Sequence, residues 1–424
     1  MKHLLSGILL LIFVSTAEAI PNSFFGNGIG IPIIPAFPRF NADLTEEFLN
    51  EAKWKQQTFS GPWRDEPALE GTFIRRMEAL PYVLGEVPMS VVVSGNNKGT
   101  VEIAVSFLDA GLFFGYHFGG EKNKEEKEAG RERRAEFARH FKELNETLTD
   151  RLEAGCGRGT PGQMGRNLLL QTAYTDYQWE GFILRLVARE DHSVVIRLFR
   201  ADAVPRQLVT EEVTGLDRRA RAAKYAAGVE SGASGDLLIR GIPMFTQGNT
   251  PFCGIHSLAM TASYLGLKAS PEDLAAAADF RNTGSAGGSN IFELHRAVAD
   301  ELEMRVSVAQ TFDQERALRS LEAGLPVIVW RRVSEERESE HRRFMSAFKE
   351  DPALSPPRLS AKELESLPLR DVDGSPAHSS IVTGLNRARG EVIYTEPWGE
   401  ETRDRRMRVE EMEATAYAVF HFKL

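Results

Sequence analysis

The chain has 424 residues, of which 42% are hydrophobic and 26% charged, and its formal net charge is −9. This length predicts two or three domains with an ordinary globular core, and two cysteines exclude the disulfide framework of small secreted domains. The acidic balance argues against a nucleic-acid partner, because a nucleic-acid surface needs clustered positive charge.

The first 19 residues predict a cleaved export signal. Lys2 precedes an apolar run at residues 4–14, and Ala17-Glu18-Ala19 is a small-x-small cleavage site. The run is too short to span a bilayer, and no other stretch is long enough. We therefore expect a secreted or periplasmic protein with no integral membrane segment after signal cleavage.

Residues 20–227 predict an N-terminal α+β domain of unknown role. Alternating apolar residues predict two strands joined by a turn at residues 96–99 and a hairpin around residues 190–193. A charged segment at residues 121–152 has apolar positions at helical spacing, which predicts a long helix. The Gly/Ser-rich stretch at residues 228–236 predicts a linker.

Residues 237–424 predict a second domain in which helices precede an antiparallel sheet, an α+β arrangement. Its first helix begins at Cys253, and Ser270 with Pro271 predicts the start of the next. Strands are predicted at residues 326–333, at a hairpin turning at residues 387–390, and at the C-terminus. A charged insertion at residues 334–376 interrupts this order.

The stretch "QGNTPFCGIH" at residues 247–256 contains a candidate nucleophile. A reactive cysteine needs a helix N-terminus or an imidazole to form its thiolate, and Cys253 begins a helix. His378, at the start of a later strand, is the candidate base, and Glu396, on the returning strand, is placed to orient it. The Gln247 amide and the Cys253 N–H are candidate donors to an oxyanion.

Three segments then carry a resemblance to a known family: "QGNTPFCGIHSLAMTASYLG", "HSSIVTGLN" and "IYTEPWG". They resemble the papain-like cysteine peptidases, and within these the double-glycine leader peptidases that process bacteriocin precursors. The likeness covers residues 240–424 and implies a papain-like fold and a thiol hydrolase of peptide or protein amides. The family's nucleophile, base, orienting residue and oxyanion donor fall on Cys253, His378, Glu396 and Gln247.

Two features depart from the family. The orienting residue is usually Asp or Asn and is Glu396 here, and the insertion comes directly before His378. The insertion could be a lid, a substrate-recognition element or an inhibitory segment. The glutamate keeps open a secreted binding protein whose peptidase domain has lost activity. A transamidase, an isopeptidase and a cell-wall amidase are alternatives on the same residues.

The remaining candidates have plainer interpretations. No metal site or other cofactor is predicted, because the histidines are scattered and the HExxH and paired-cysteine spacings are absent. His256 is interpreted as a packed histidine and Asn386 as a turn residue. Trp398 either stacks near the imidazole or packs in the core, and the core interpretation is favoured. A Cys156–Cys253 disulfide is a further alternative. The expected partner is a peptide or protein substrate, and the sequence leaves the oligomeric state open.

Overall fold

The computed structural model of the chain describes residues 39–69, 71–114, 124–232, 234–247, 252–278, 291–361, 363 and 377–424. The predicted export signal and the end of the insertion lie outside these residues. Within the described residues, helices and two large antiparallel sheets confirm the predicted α+β class. A search of the same residues for a helix long and apolar enough to cross a bilayer found none.

In the described ranges of the N-terminal part, ten strands are combined with six helices. The strands are β1 (Arg39–Asp43), β2 (Trp63–Glu66), β3 (Thr72–Met77), β4 (Leu80–Tyr82), β5 (Ser90–Asn96), β6 (Gly99–Asp109), β7 (Thr160–Met164), β8 (Thr172–Trp179), β9 (Phe182–Arg189) and β10 (Ser193–Arg200). The helices are α1 (Thr45–Phe48), α2 (Glu51–Gln56), α3 (Ala110–Phe114), α4 (Lys124–Cys156), α5 (Glu211–Thr214) and α6 (Arg218–Ala226).

Eight of these strands form one antiparallel sheet in the order β2-β3-β5-β6-β10-β9-β8-β7. Side chains alternate along its central strands, because successive residues of a strand point to opposite faces. Val91, Ile103 and Ile196 face a buried core that also contains Phe137 and Leu148 of the long helix α4. The predicted hairpin turns at residues 96–99 and 190–193 are both confirmed.

Within the described residues, the C-terminal part also combines strands with helices. The strands are β11 (Val229–Ser231), β12 (Asp236–Ile239), β13 (Arg305–Ala309), β14 (Val327–Arg332), β15 (Ala377–Asn386), β16 (Glu391–Thr395), β17 (Arg405–Arg408) and β18 (Ala416–Lys423). The helices are α7 (Cys253–Tyr264), α8 (Pro271–Ala277), α9 (Ile291–Glu301), α10 (Gln314–Glu322), α11 (Glu335–Glu350) and α12 (Val409–Thr415).

The second antiparallel sheet has the order β11-β12-β15-β14-β18-β13, and β16 joins β15 to β17. Helices α7 to α9 precede most of its strands, as the sequence predicts. The stretch at residues 228–236 is not a plain linker, because β11 pairs with β12 and extends this sheet. Between the two strands, the Gly235 N–H donates to the Gly232 carbonyl at 3.0 Å. The predicted domain boundaries stay a prediction.

Side chains of the N-terminal part pack against side chains of the C-terminal part. Met164, Leu170 and Leu208 share a buried cluster with helix α7. Arg197 Nη2 of β10 lies 2.5 Å from Asp273 Oδ2 of α8. A capping box on Ser270 also holds Asp273 at the start of α8, so this helix end is fixed to both parts of the chain.

Candidate active site

Helix α7 places Cys253 at its first position. The residue is 8% exposed, and the first backbone N–H groups of a helix lack partners within the helix, so their positive end meets the thiol. Gly254 is required beside it, because a Cβ there would lie 2.3 Å from Cζ2 of Trp330. The Ser257 hydroxyl donates to the Ser379 carbonyl at 3.1 Å, which ties the helix to strand β15 next to His378.

His378 is fully buried on β15 and contacts both other predicted catalytic residues. Its Nε2 lies 2.5 Å from Glu396 Oε2, and its ring also interacts with the Cys253 thiol, which leaves Nδ1 as the nitrogen available to that thiol. Burial opposes the charged imidazole. The Glu396 charge and the hydrogen bonds to Cys253 and Glu396 outweigh it and raise the pKa of His378 to about 9.

Strand pairing brings Glu396 to the imidazole. Ile381 pairs with Thr395, and the register shifts between Val382 and Gly384, as in a β-bulge. Continued from Ile381, the ladder places Trp398 rather than residue 399 opposite His378. The sequence missed this one-residue shift, because a bulge leaves little trace in an apolar strand.

The carboxylate of Glu396 is held at both oxygens. Oε1 accepts from Arg331 Nη2 at 2.7 Å and from the Ser380 hydroxyl at 2.9 Å, so Oε2 faces His378. Burial favours the neutral acid, but the charges of His378 and Arg331 outweigh it and lower the pKa of Glu396. Arg331 and Ser380, which donate to Oε1, therefore hold the longer side chain of the glutamate with Oε2 toward His378.

Arg331 belongs to a buried ionic cluster that sequence reasoning missed. It pairs with His378 across β14 and β15, and Nη2 also lies 3.0 Å from Oε1 of Glu338 on α11. Arg405 Nη1 lies 2.9 Å from the other oxygen of Glu338. The sequence did contain a signal for this cluster, namely a charged residue inside the apolar run "PVIVWRRV". A charge in a buried strand needs oppositely charged partners.

Gln247 and Trp398 complete the surroundings. Gln247 is 3% exposed, and its backbone N–H donates to the Pro397 carbonyl at 2.9 Å, so it lies beside the loop that carries Glu396. The Trp398 ring lies 4.6 Å from the His378 ring, at an interplanar angle of 32°. Of the two interpretations of Trp398, stacking near the imidazole is the one observed and the favoured core position is not, since the residue is only partly buried.

Other candidates lie apart from this group. Cys156 and Cys253 are both free thiols, so the disulfide alternative is wrong in this structure. His256 is packed, with Nδ1 3.0 Å from the Phe252 carbonyl, and burial lowers its pKa to about 4. Asn386 ends β15 and donates to Asp236. Among the described residues, no group of three or more His, Cys, Asp or Glu side chains is arranged to hold a metal.

This arrangement places an imidazole in hydrogen-bond contact with a carboxylate and in electrostatic interaction with a thiol at the positive end of a helix. An imidazole stabilised in its charged form can take the thiol proton and later return it to a leaving group. The arrangement is therefore suited to acyl transfer through a thioester.

Comparison with known proteins agrees with the predicted resemblance. Residues 239–423 match the model of a family described as Peptidase_C39 like, which confirms a cysteine-peptidase-like region in the C-terminal part of the chain. No curated protein matches the chain.

Two crystal structures are similar in part. A C39-like peptidase from Bacillus anthracis is 17% identical, and the match covers 45% of this chain and 98% of that one, with a TM-score of 0.30. The peptidase domain of Streptococcus ComA, a bi-functional ABC transporter involved in a quorum sensing pathway, is 14% identical. That match covers 43% of this chain and 98% of the other, with a TM-score of 0.26.

Proposed function

We propose that this protein is an exported cysteine peptidase that hydrolyses peptide or protein amide bonds. The observation that carries the proposal is that the His378 imidazole interacts with the Cys253 thiol and lies 2.5 Å from the Glu396 carboxylate. The match of residues 239–423 to a peptidase family supports an amide as the substrate bond. Export rests on the N-terminal signal sequence, and it predicts a mature protein that begins at Ile20.

With its pKa raised to about 9, His378 holds the proton taken from the Cys253 thiol at neutral pH, so the reaction begins from a thiolate beside an imidazolium. The thiolate forms a bond to the substrate carbonyl carbon, and the oxyanion is stabilised by the Cys253 N–H and the Gln247 amide. The C–N bond then breaks as His378 gives its proton to the leaving amine. Water, deprotonated by His378, adds to the thioester carbon, and the departing Cys253 sulfur regains a proton from the imidazolium.

Glu396 acts throughout by stabilising and orienting the imidazolium. An inactive binding protein is favoured only if this glutamate fails to reach the imidazole, and the Nε2–Oε2 distance of 2.5 Å supports the enzyme instead. Hydrolysis in ¹⁸O-water separates the peptidase from a transamidase, because only hydrolysis places the label in the new carboxylate.

Alkylation by iodoacetamide tests the nucleophile, with Cys156 as an internal control. Burial raises the pKa of the Cys156 thiol, so at pH 6 Cys253 should react much faster than Cys156. We expect His378→Ala to slow alkylation of Cys253 and to leave Cys156 unchanged, as measured by peptide mass mapping. Equal rates at the two cysteines in the wild-type protein would contradict the proposal.

A further inference from the structure

Helix α11 forms the first part of the charged insertion and brings a carboxylate into the protein interior. Glu338 is 3% exposed, and its two oxygens lie 3.0 Å from Arg331 and 2.9 Å from Arg405. A buried carboxylate is stable only when paired. Burial opposes its ionisation, but the charges of Arg405 and Arg331 hold the pKa of Glu338 below its usual range.

One route leads from Glu338 to the imidazole through hydrogen bonds. Arg331 Nη2 contacts Glu338 and Glu396 together, at 3.0 and 2.7 Å, while its Nε donates to Ser380 at 3.1 Å. The planar guanidinium presents its donors in a fixed fork, so the position of Glu338 determines where Arg331 meets Glu396. Glu396 in turn contacts His378.

A second route leads through aromatic rings. The Arg405 guanidinium carbon lies 5.6 Å from the centre of the Trp398 ring, within the range of a cation–π contact. Trp398 packs on the His378 ring at 4.6 Å. Glu338 therefore reaches the same imidazole through Arg331 and Glu396 and through Arg405 and Trp398.

Helix α11 is itself fixed to the sheet region. Ser334 caps its N-terminus by accepting from the Arg337 N–H. Arg337 Nε and His341 Nε2 lie 3.1 and 2.8 Å from Oε1 of Glu411 on α12. Glu338 lies between these two anchors on the helix, so it cannot shift without breaking buried contacts.

We propose that helix α11 is a positioning element of the active site and that Glu338 is its positioning residue. This inference rests on the proposed function, because it concerns how the same triad is held. Loss of the Glu338 charge leaves two arginines with too few carboxylates, and their excess positive charge disfavours the imidazolium of His378. The insertion then acts on catalysis from within the protein, without touching the substrate.

The test compares Glu338→Gln with Glu336→Gln, an exposed position on the same helix. We expect Glu338→Gln to lower the pKa of His378, followed by NMR, and to slow Cys253 alkylation roughly tenfold, the scale of one lost charge-assisted contact. Glu336→Gln should match the wild type. In a Glu396→Gln background, the effect of Glu338→Gln should be smaller than in the wild type, because the route through Arg331 and Glu396 is lost and only the route through Arg405 and Trp398 is left.

Arg331→Lys is the second variant in case Glu338→Gln does not fold, since lysine keeps the charge but loses the fork. It should also slow alkylation while retaining a cooperative unfolding transition. The positioning role is overturned if Glu338→Gln equals Glu336→Gln in both readouts, or if its effect persists in full in the Glu396→Gln background. A failure of the proposed function would give a different result. In that case Cys253 would be alkylated no faster in the wild-type protein than in His378→Ala.

Discussion

Replacing Glu396 by glutamine should remove the charge that keeps His378 protonated. The imidazole has a usual pKa of 6.5, which the structure raises to about 9. This difference corresponds to about 3 kcal/mol of preference for the charged form. Burial opposes that charge, and the Glu396 carboxylate is the largest contribution that favours it. We therefore expect the pKa of His378 to fall to 6.5 or below in Glu396→Gln.

The assay is an NMR titration of labelled histidine side chains. The chain contains nine histidines, and the His378 signal is assigned by its disappearance in His378→Gln. Glu400→Gln is the matched control, because Glu400 lies on the same loop but is exposed and pairs with Arg403. It should leave the titration of His378 unchanged.

The contact between His378 and Glu396 also predicts that the stability of the protein depends on pH. A group whose pKa is higher in the folded state stabilises the protein fully below its unfolded pKa, and the effect disappears as pH rises through the folded value. The wild type should therefore lose about 3 kcal/mol of unfolding free energy between pH 6.5 and about 9 relative to Glu396→Gln. The reasoning is refuted if wild-type His378 titrates at or below 6.5, or if Glu396→Gln leaves its pKa unchanged.

Three further predictions concern neighbouring residues. Gln247→Ala should lower kcat for peptide hydrolysis about 10²-fold or more while leaving alkylation of the nucleophile unchanged, and a parallel fall in both rates would contradict the oxyanion role. Gly254→Ala should destabilise the fold by about 1–3 kcal/mol in urea unfolding, because its Cβ meets a tryptophan ring, whereas Gly181→Ala has nothing within 4 Å and should be near neutral. Asp273→Asn should reduce stability at pH 7 by about 2 kcal/mol, since the partly buried Arg197 loses its short contact and keeps the more distant Glu102, 3.6 Å away. Although burial opposes its ionisation, the charges of Arg197 and Arg189 lower the pKa of Asp273 from 3.8 to about 2, so the difference should vanish as pH falls through that range. A difference that persists at pH 2 would count against the ion pair.

Local patterns in the sequence were sufficient to predict many of the elements and the members of the candidate site. Helix α7 begins at Cys253, α8 is capped by Ser270, and β15 and β16 form a hairpin, each as expected. These features depend on residues close together in the chain, such as a capping hydroxyl or a turn between alternating strands. The roles of the four site residues stay predictions until the variants are measured.

What only the tertiary structure decided is how Glu396 can replace the usual Asp or Asn. Its position depends on Arg331 and Ser380 from other parts of the sheet, and on Glu338 and Arg405 beyond them. Such buried charges have no spacing rule, since partners in this cluster lie up to 67 residues apart in sequence, as Glu338 and Arg405 do. A catalytic sequence motif identifies the reacting groups, whereas the charges that hold them are selected by three-dimensional proximity in a low-dielectric interior.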